Sequence, residues 1–505
     1  MRRKEALQQL NLGQSVAEFD DDLRQYFVET ETFRSLKHGQ KDIVAGDKGT
    51  GKTALYKILA QRYTEFPELS KVEVIPAFNT TGSPVFQQLA EGALLTEGQY
   101  RTIWKTYVLS LAGNWLLKMF EEHWTPSMVK LDALLTRLSL REIDEKPRNI
   151  FTALVQLVKR LTSPKSVGIA LSFDEAGLPV TTPQVEFADP AQQVESIIIR
   201  HAESLGLLNT ALEEADLSIW MVLDRLDEAF TGYPATEIPA LRALFRTYLD
   251  LLEFDRVKLK MFVRKDLFRK ITQGGFVNLT HINDRKVEIV WDDEDLLNLL
   301  IQRVRTNDEF MKTAELEGKT NGEIFRALFP QQVEDGSRRP TTYRWMLARI
   351  RDGQDVKPPR NLIDLVKMAQ EGQSRREDRE PRDFVPGEAL IESEAIKGAL
   401  TRLSHQRVED TLLAESGEYR GIIEKFRDGK AEHNIDSLER TLELNSNETR
   451  ATLRVLLDMG FLERIRQSET YKIPMLYRDG LNVTQGRAFQ LPEGVEEGEP
   501  EEEDN

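Results

Sequence analysis

The spacing of apolar residues predicts alternating strands and helices over the first three hundred positions. Short apolar runs at 42–45, 72–78, 217–223, 257–263 and 286–291 are typical of buried strands. Between several of them, apolar residues recur every three or four positions, as they do on one face of an amphipathic helix. Strands that alternate with helices in this way favour a parallel sheet covered by helices. We therefore predict an α/β core over residues 41–292.

Other patterns interrupt and follow this core. Helical periodicity over about 97–165 predicts an inserted helical region, and alternation with Gly and Pro over about 167–188 predicts a hairpin. The remaining predicted segments are an N-terminal helical segment (1–40), a helical lid (293–372), a linker dense in charge and proline (373–386), a winged-helix domain (387–492) and an acidic disordered tail (493–505).

The winged-helix prediction depends on the pattern of the last domain. Residues 435–444 and 445–460 predict a helix, a turn and a second helix, and residues 461–473 predict two short strands. In DNA-binding winged helices the second helix enters the major groove, where it would present Thr449, Arg450 and Arg454.

The charge of this domain leaves its partner open. Residues 381–491 contain 16 Lys and Arg against 19 Asp and Glu, whereas phosphate binding normally needs a clustered basic face. A protein partner and a nucleic acid therefore remain alternatives.

Composition excludes several classes of function. The 505 residues carry a formal net charge of −16, and eight of the acids lie in the last 14 residues, so the rest of the chain is only mildly acidic. The absence of cysteine excludes disulfides, thiolate metal sites and cysteine catalysis. We find neither an apolar run near the roughly 20 residues that span a bilayer nor the apolar core of a signal peptide. We expect a cytoplasmic protein with no membrane partner.

A phosphate-binding loop is the strongest motif of the sequence. The pattern G-x-x-x-x-G-K-[ST] is matched in full by Gly46, Asp47, Lys48, Gly49, Thr50, Gly51, Lys52 and Thr53. Glycines let backbone N–H groups surround a phosphate, and the helix that begins near Lys52 directs its positive end at the anion. Lys52 would contact the β- and γ-phosphates, and the Thr53 hydroxyl would bind Mg²⁺. The alternative is a chance match, but the strand before and the helix after are the context that such a loop requires.

A phosphate loop also needs an acidic residue at the end of a neighbouring strand to hold the metal. Two apolar stretches end in acids: 219–223 is followed by Asp224, and 169–173 is followed by Asp174 and Glu175. Gly and Pro come directly after the second pair, which favours a half-exposed hairpin there. We therefore predict Asp224 as the metal ligand.

Two further acids, Asp227 and Glu228, follow Asp224 within one helical turn. Either could polarise the attacking water. The alternative is that both only begin the next helix, where acids are favoured by the helix dipole.

The order of these motifs resembles a known family. The phosphate loop is followed by a second strand, then by DRLDE (224–228), MFVRKD (261–266) and PPRNLI (358–363). This order resembles the AAA-like ATPases of the origin-recognition and STAND branches. More narrowly, it is similar to a prokaryotic P-loop ATPase family with a terminal winged helix that is often met in phage defence. The resemblance covers most of residues 12–490.

The resemblance implies an AAA-like fold, ATP and Mg²⁺ as cofactors, and further site residues. In such ATPases an arginine at the end of the fourth strand contacts the γ-phosphate, which maps onto Arg264, and a second arginine on the lid maps onto Arg360. Arg264 also follows an apolar strand at the sheet edge where open α/β sheets bind ligands. Either arginine could instead form a surface ion pair. These ATPases also use an arginine finger, an arginine of one subunit that completes the nucleotide site of the next. It is unassigned in this chain, although Arg242 and Arg246 lie on the corresponding helix.

One departure from the family affects activity. The usual AAA hydrolase has Glu directly after the metal-binding Asp, and this chain has Arg225 there. We therefore predict a slow ATPase that acts as a molecular switch and couples its nucleotide state to oligomerisation or partner binding. The partners would be further copies of the chain and a protein effector or sensor in trans. The alternatives are a DNA-binding, origin-recognition-type loader that uses the winged helix, and a P-loop kinase.

Overall fold

The structure is a computed structural model that describes residues 1–77, 95–121, 123–141, 172–173, 179–180, 200–226, 234–273, 275–465 and 469–490. The chain divides into two compact units. The first unit consists of Met1–Glu29, Asp47–Gly51 and Val290–Asn505, and the second consists of Thr30–Gly46 and Lys52–Ile289. Residues 142–165 of the predicted helical insertion and the acidic tail lie outside the described residues.

The strands, in chain order, are β1 (Ile43–Gly46), β2 (Val72–Pro76), β3 (Ser172–Phe173), β4 (Pro179–Val180), β5 (Ser218–Leu223), β6 (Val257–Arg264), β7 (Lys286–Glu288), β8 (Lys430–Asn434), β9 (Glu463–Arg464), β10 (Thr470–Lys472) and β11 (Thr484–Arg487). The helices are α1 (Arg3–Gln9), α2 (Glu31–Lys37), α3 (Lys52–Arg62), α4 (Glu97–Met119), α5 (Pro126–Arg137), α6 (His201–Glu214), α7 (Pro234–Leu251), α8 (Lys265–Thr272), α9 (Leu279–Asp284), α10 (Asp293–Arg305), α11 (Asp308–Thr313), α12 (Asn321–Leu328), α13 (Thr342–Ile350), α14 (Pro359–Arg379), α15 (Ser393–Arg407), α16 (Arg420–Glu424), α17 (Ile435–Leu442), α18 (Ser446–Asp458) and α19 (Met475–Arg478).

The second unit contains a five-stranded parallel sheet in the order β2-β5-β6-β1-β7. Its central strands are near-continuous apolar runs because helices cover both faces, and the residues of β1 and most of those of β5 and β6 are buried. The predicted strands are thus confirmed, and with them the predicted α/β fold class with a parallel sheet.

The strand order brings three chain segments to one edge of the sheet. β6 lies between β1 and β5, with Arg264 in register with Gly46 and Met261 in register with Leu223. Because the strands are parallel, the residues that follow β1, β5 and β6 meet at their carboxyl edge, where open α/β sheets bind ligands.

A buried cluster of charges connects β1, β6 and β7 at the opposite end of β1. Asp42 and Lys260 are 1% and 0% exposed. The Lys260 ammonium lies 2.7 Å from one carboxylate oxygen of Asp42, and Arg285 and the Tyr248 hydroxyl donate to the other at 2.8 and 2.9 Å. Burial alone would raise the pKa of Asp42, but Lys260 and Arg285 lower it below its usual range.

Part of the predicted insertion is described. Helices α4 and α5 occupy 97–137 and pack with α6 and α7 of the second unit. A capping box at Thr96 and Gln99 begins α4, since each side chain bonds the backbone N–H of the other residue. Within 167–188, β3 and β4 form an antiparallel pair.

The first unit has its own apolar core, formed by α1, α10 to α15 and the C-terminal elements. Here α14 differs from the prediction, because it continues to Arg379 through seven residues of the predicted linker. Charge density suggested a solvated connection, but Gln373 and Glu377 are buried on this helix, and Arg382 pairs with Glu377. A buried polar network therefore replaces the apolar stripe that sequence patterns detect.

The C-terminal region of this unit contains the predicted helix-turn-helix, α17 and α18, and a four-stranded sheet in the order β11-β8-β10-β9. β10 pairs antiparallel with both β8 and β9. The side chain of Asn445 caps α18, and Gly460 ends this segment with φ +70°. No described helix of either unit is long and apolar enough to span a membrane.

The Asp42 cluster gives a stability prediction. We expect Asp42→Asn to lower the free energy of unfolding by about 3–5 kcal/mol, because it leaves Lys260 and Arg285 without their carboxylate. The exposed Asp255→Asn removes the same charge and should change stability by less than about 0.5 kcal/mol. Urea denaturation of both variants measures the difference, and equal midpoints would show that the buried cluster does not stabilise the sheet.

Candidate phosphate-binding site

The backbone between β1 and α3 has the conformation that a phosphate loop requires. Gly49 and Gly51 have φ of +78° and +100°, which side-chain-bearing residues rarely adopt. The loop leads directly into α3, whose first N–H groups have no carbonyl partner within the helix. A helix N-terminus preceded by such glycines is suited to bind an anion.

The second unit contains the residues predicted to bind the metal. Lys52 begins α3, and its ammonium donates to the Gly46 carbonyl at 2.9 Å. Thr53 is hydrogen-bonded to Asp224, which directly follows β5. Asp224 is only 5% exposed, and its Oδ2 has no hydrogen-bond partner among the described residues.

The environment of Asp224 matches a divalent cation. Burial raises the pKa of Asp224 to about 6, although Thr53 and Lys52 act in the opposite direction. A buried carboxylate oxygen without a donor is costly unless something binds it. Carboxylate and hydroxyl oxygens are the ligands that Mg²⁺ prefers. The residues present therefore fit Mg²⁺ held by Thr53 and Asp224.

The residues after Asp224 are described only in part. Arg225 has φ +54°, in the left-handed region that a long side chain enters only under local constraint. Asp227 and Glu228 lie outside the described residues, as do Asp174 and Glu175 of the alternative strand. The choice of an acid that activates water stays a prediction.

Arg264 lies beside the first residue of the phosphate loop. It is the last residue of β6, where the sequence placed it at or just beyond the end of this strand, and it is in register with Gly46. Its guanidinium forms two hydrogen bonds, of 3.0 and 3.1 Å, with the carboxylate of Asp266. The position agrees with a phosphate-contacting role, and the side chain also forms the ion pair of the alternative hypothesis.

The two candidate finger arginines have partners within the second unit. Arg242 donates to the Gln273 carbonyl at 3.1 Å, and Arg246 forms an ion pair with Glu97. Both guanidinium groups also lie over the ring of Phe276. These contacts favour the interpretation of both residues as ordinary helix-surface arginines.

In the first unit, the segment Asp47–Gly51 contacts the start of α14. Pro358 is the N-cap residue of this helix, and Arg360 is its second residue. A Cβ placed on Gly49 would lie 3.2 Å from Cβ of Arg360 and 3.4 Å from Cβ of Pro358. The Nε of Arg360 is buried and has no hydrogen-bond partner in the described part of the chain. Arg360 thus brings an unsatisfied cationic donor to the phosphate loop.

Trp291 also contacts this segment, and sequence analysis did not identify it. Its indole N–H donates to the Thr50 carbonyl at 2.8 Å, and a Cβ on Gly51 would lie 3.8 Å from its ring. Trp291 follows the short edge strand β7 without any recognisable motif. Its contact with a loop 241 residues earlier leaves no signal in the local sequence.

The C-terminal domain corrects one predicted DNA contact. Thr449 is 0% exposed and its hydroxyl donates to the Leu444 carbonyl, so α18 does not present it. Arg450 and Arg454 are exposed as predicted. Glu448 is exposed beside them, and Arg450 lies 3.6 Å from Glu469. The exposed arginines therefore lie among acids rather than in a basic face.

No family model and no curated protein matches the sequence. Solved structures similar along most of the chain include the ORC2 protein of Aeropyrum pernix in ADPNP-ADP complexes (TM-score 0.34, 14% identity, 92% of each chain covered). The ORC1 protein of the same organism in complex with DNA has a TM-score of 0.32 at 13% identity, with 93% of this chain and 96% of that chain covered. Cdc6p of Pyrobaculum aerophilum also has a TM-score of 0.32 at 13% identity, with 92% and 97% covered. At these TM-scores the likeness assigns no function to this chain.

Asp224 gives a prediction with a defined sign. Because its pKa is raised to about 6 from 3.8, the ionised side chain disfavours the fold, by about 3 kcal/mol once both states are ionised. The folded protein is therefore more stable when Asp224 is protonated, and that extra stability is lost as the pH rises from about 4 to 6. We therefore expect Asp224→Asn, without nucleotide, to raise the thermal midpoint at pH 8 and to change it little at pH 4.

The same variant should lose Mg²⁺-dependent binding of a fluorescent ATP analogue. In the wild type this binding should weaken below pH 6, since protons then compete with Mg²⁺ for the carboxylate. A variant that is less stable at pH 8, or that keeps its Mg²⁺ dependence, would contradict the assignment.

Proposed function

We propose that the protein binds ATP with Mg²⁺, hydrolyses it slowly, and couples its nucleotide state to oligomerisation or partner binding. One observation carries the proposal: the buried Asp224 lies beside Thr53, the motif residue that would bind Mg²⁺, and one of its carboxylate oxygens has no hydrogen-bond partner among the described residues. A protein that only needed a stable sheet would gain from an apolar residue there.

Each site residue has a distinct role in this proposal. The N–H groups of the Asp47–Gly51 segment and the ammonium of Lys52 bind the β- and γ-phosphates. Thr53 and Asp224 hold Mg²⁺, which would bridge phosphate oxygens and neutralise the charge that develops during transfer. Asp227 or Glu228 polarises the attacking water.

Slow hydrolysis follows from the residue after Asp224. Arg225 stands where the resembling hydrolases have the glutamate that orients water. Its cationic side chain cannot accept a proton from water, so turnover depends on an acid further along the chain. A slow step keeps the ATP-bound state populated, which suits a switch.

The switch itself requires groups that distinguish ATP from ADP. We assign this role to Arg264 and Arg360, which carry cationic donors at the end of β6 and at the start of α14. To contact a γ-phosphate, Arg264 would exchange its bonds to Asp266. A contact made only with ATP shifts a two-state equilibrium by its differential affinity, and a few kcal/mol reverses the populations.

DNA binding by the winged helix remains a second candidate because Arg450 and Arg454 are exposed on α18. In this alternative the protein would act as an origin-recognition-like loader, and those two arginines would bind duplex DNA. Their acidic neighbours favour a protein partner instead, since duplex binding needs a clustered positive face. The protein partner in this proposal is an effector or sensor that acts in trans, since the sequence contains no recognisable nuclease, protease or TIR segment.

Lys52→Ala tests nucleotide binding directly. It removes the side-chain ammonium assigned to the β- and γ-phosphates, and we expect affinity for a fluorescent ATP analogue to fall at least 100-fold, about 2.7 kcal/mol. Lys57→Ala on the same helix removes the same charge from outside the motif and should bind like the wild type. Equal binding by both variants would refute the assignment of the loop.

Arg264→Ala tests the switch. We expect nucleotide affinity to stay within about tenfold of wild type, while the difference between ATP and ADP in light scattering and hydrogen exchange disappears. Arg256→Ala, just before the start of β6, is the matched control and should keep the difference. A wild-type protein that is strictly monomeric, with the same exchange in both nucleotides, would favour the kinase alternative, and a mass increase only with duplex DNA would favour the loader.

A further inference from the structure

The phosphate loop has an ionic contact with the C-terminal domain. Within the first unit, Lys48 forms a salt bridge with Glu415. Lys48 is the third residue of the loop motif, and Glu415 lies two residues beyond the π-helical segment Val408–Leu413 that follows α15. Their side chains are 41% and 28% exposed, so solvent and ligands can reach the pair.

A second connection reaches the same domain from the loop 351–357, between α13 and α14. The N–H of Gly353 donates to the Gly460 carbonyl at 2.7 Å. A Cβ on Gly353 would clash with the Leu462 carbonyl oxygen, so the two backbones approach as only glycine allows. The Gln354 amide donates to the carbonyl of Leu457 at 3.0 Å. The end of α18 and the start of β9 thus hold this loop in place.

The loop 351–357 leads straight into α14, on which Arg360 packs against Gly49. The winged-helix region is therefore connected to the phosphate loop once directly and once indirectly, within one compact unit. The ionic contact is made by Glu415, and the other is made through the backbone that positions Arg360.

The ionic contact is open to competition from a nucleotide. The carboxylate of Glu415 and a β- or γ-phosphate are both anions that can pair with the ammonium of Lys48. They repel each other, so binding of one weakens binding of the other at this site. A partly exposed ion pair changes an equilibrium only a few-fold, so a polyphosphate with several negative charges can displace it.

We propose that Lys48, Glu415 and the loop 351–357 form a latch that holds the winged-helix region against the phosphate loop, and that the β- and γ-phosphates of ATP open it by displacing Glu415 from Lys48. This inference rests on the proposed ATP binding at the same loop. Opening the latch changes the surface that the winged-helix region offers to a partner.

The sign of one substitution tests the latch. Glu415→Gln removes the competing charge at nearly constant shape, and we expect affinity for a fluorescent ATP analogue to rise about two- to fivefold. Glu418→Gln removes the same charge from an exposed position three residues away and should leave the affinity unchanged. Affinity for a fluorescent AMP analogue, which lacks both outer phosphates, should be the same in all three proteins.

Hydrogen exchange tests the opening itself. In the wild type, ATP but not AMP should speed exchange in the segments 351–357 and 457–465, and Glu415→Gln should show the faster exchange without nucleotide. Gly353→Ala should do the same, because its methyl group would press on the Leu462 carbonyl without altering the charge of the phosphate loop.

Weaker or unchanged ATP binding by Glu415→Gln, or exchange that ATP does not alter, would overturn the latch. If wild type but not Lys52→Ala then binds ATP, the proposed function stands and only the latch falls. Failure of the wild-type protein to bind ATP would overturn both.

Discussion

The parallel pairing of β1 with β6 is the constraint on which the rest of the site depends. Register fixes Gly46 beside Arg264, and the pairing of β6 with β5 places Asp224 one residue beyond the same edge. A slip of one residue would turn alternate side chains to the opposite face of the sheet, and it would separate the phosphate loop from its acid. The buried apolar strands therefore set the geometry in which charged groups can act.

A buried group of charges joins the same strands at the end opposite to the phosphate loop. Asp42 precedes β1 and is contacted by Lys260 of β6 and by Arg285, directly before β7. Hydrophobic packing would allow small shifts of strands rich in similar aliphatic side chains, whereas a buried ion pair tolerates no alternative partner. The cluster thus joins the start of β1, strand β6 and the start of β7 through one shared carboxylate, at a cost in desolvation.

Local patterns in the sequence predicted the strands, the phosphate loop and the position of Arg264, because each is encoded within ten neighbouring residues. Trp291, Glu415 and the buried pair Gln373 and Glu377 could not be predicted. Their contacts join distant segments, and no pattern in their own neighbourhood indicates which segment they contact. The prediction that Thr449 is presented to DNA was wrong for a related reason. Helix position alone does not decide which residues of a short amphipathic helix face the domain core.

Two buried aspartates of the second unit show how structural and functional charges differ. Asp42 has Lys260, Arg285 and Tyr248 around its carboxylate, and its pKa is lowered below the usual range despite burial. Asp224 is hydrogen-bonded to Thr53, and its other carboxylate oxygen has no partner in the part of the chain that the structure describes; burial raises its pKa to about 6. Folding alone favours the first arrangement and opposes the second. Keeping the second arrangement at the end of β5 carries a free-energy cost, which binding of a cation would offset.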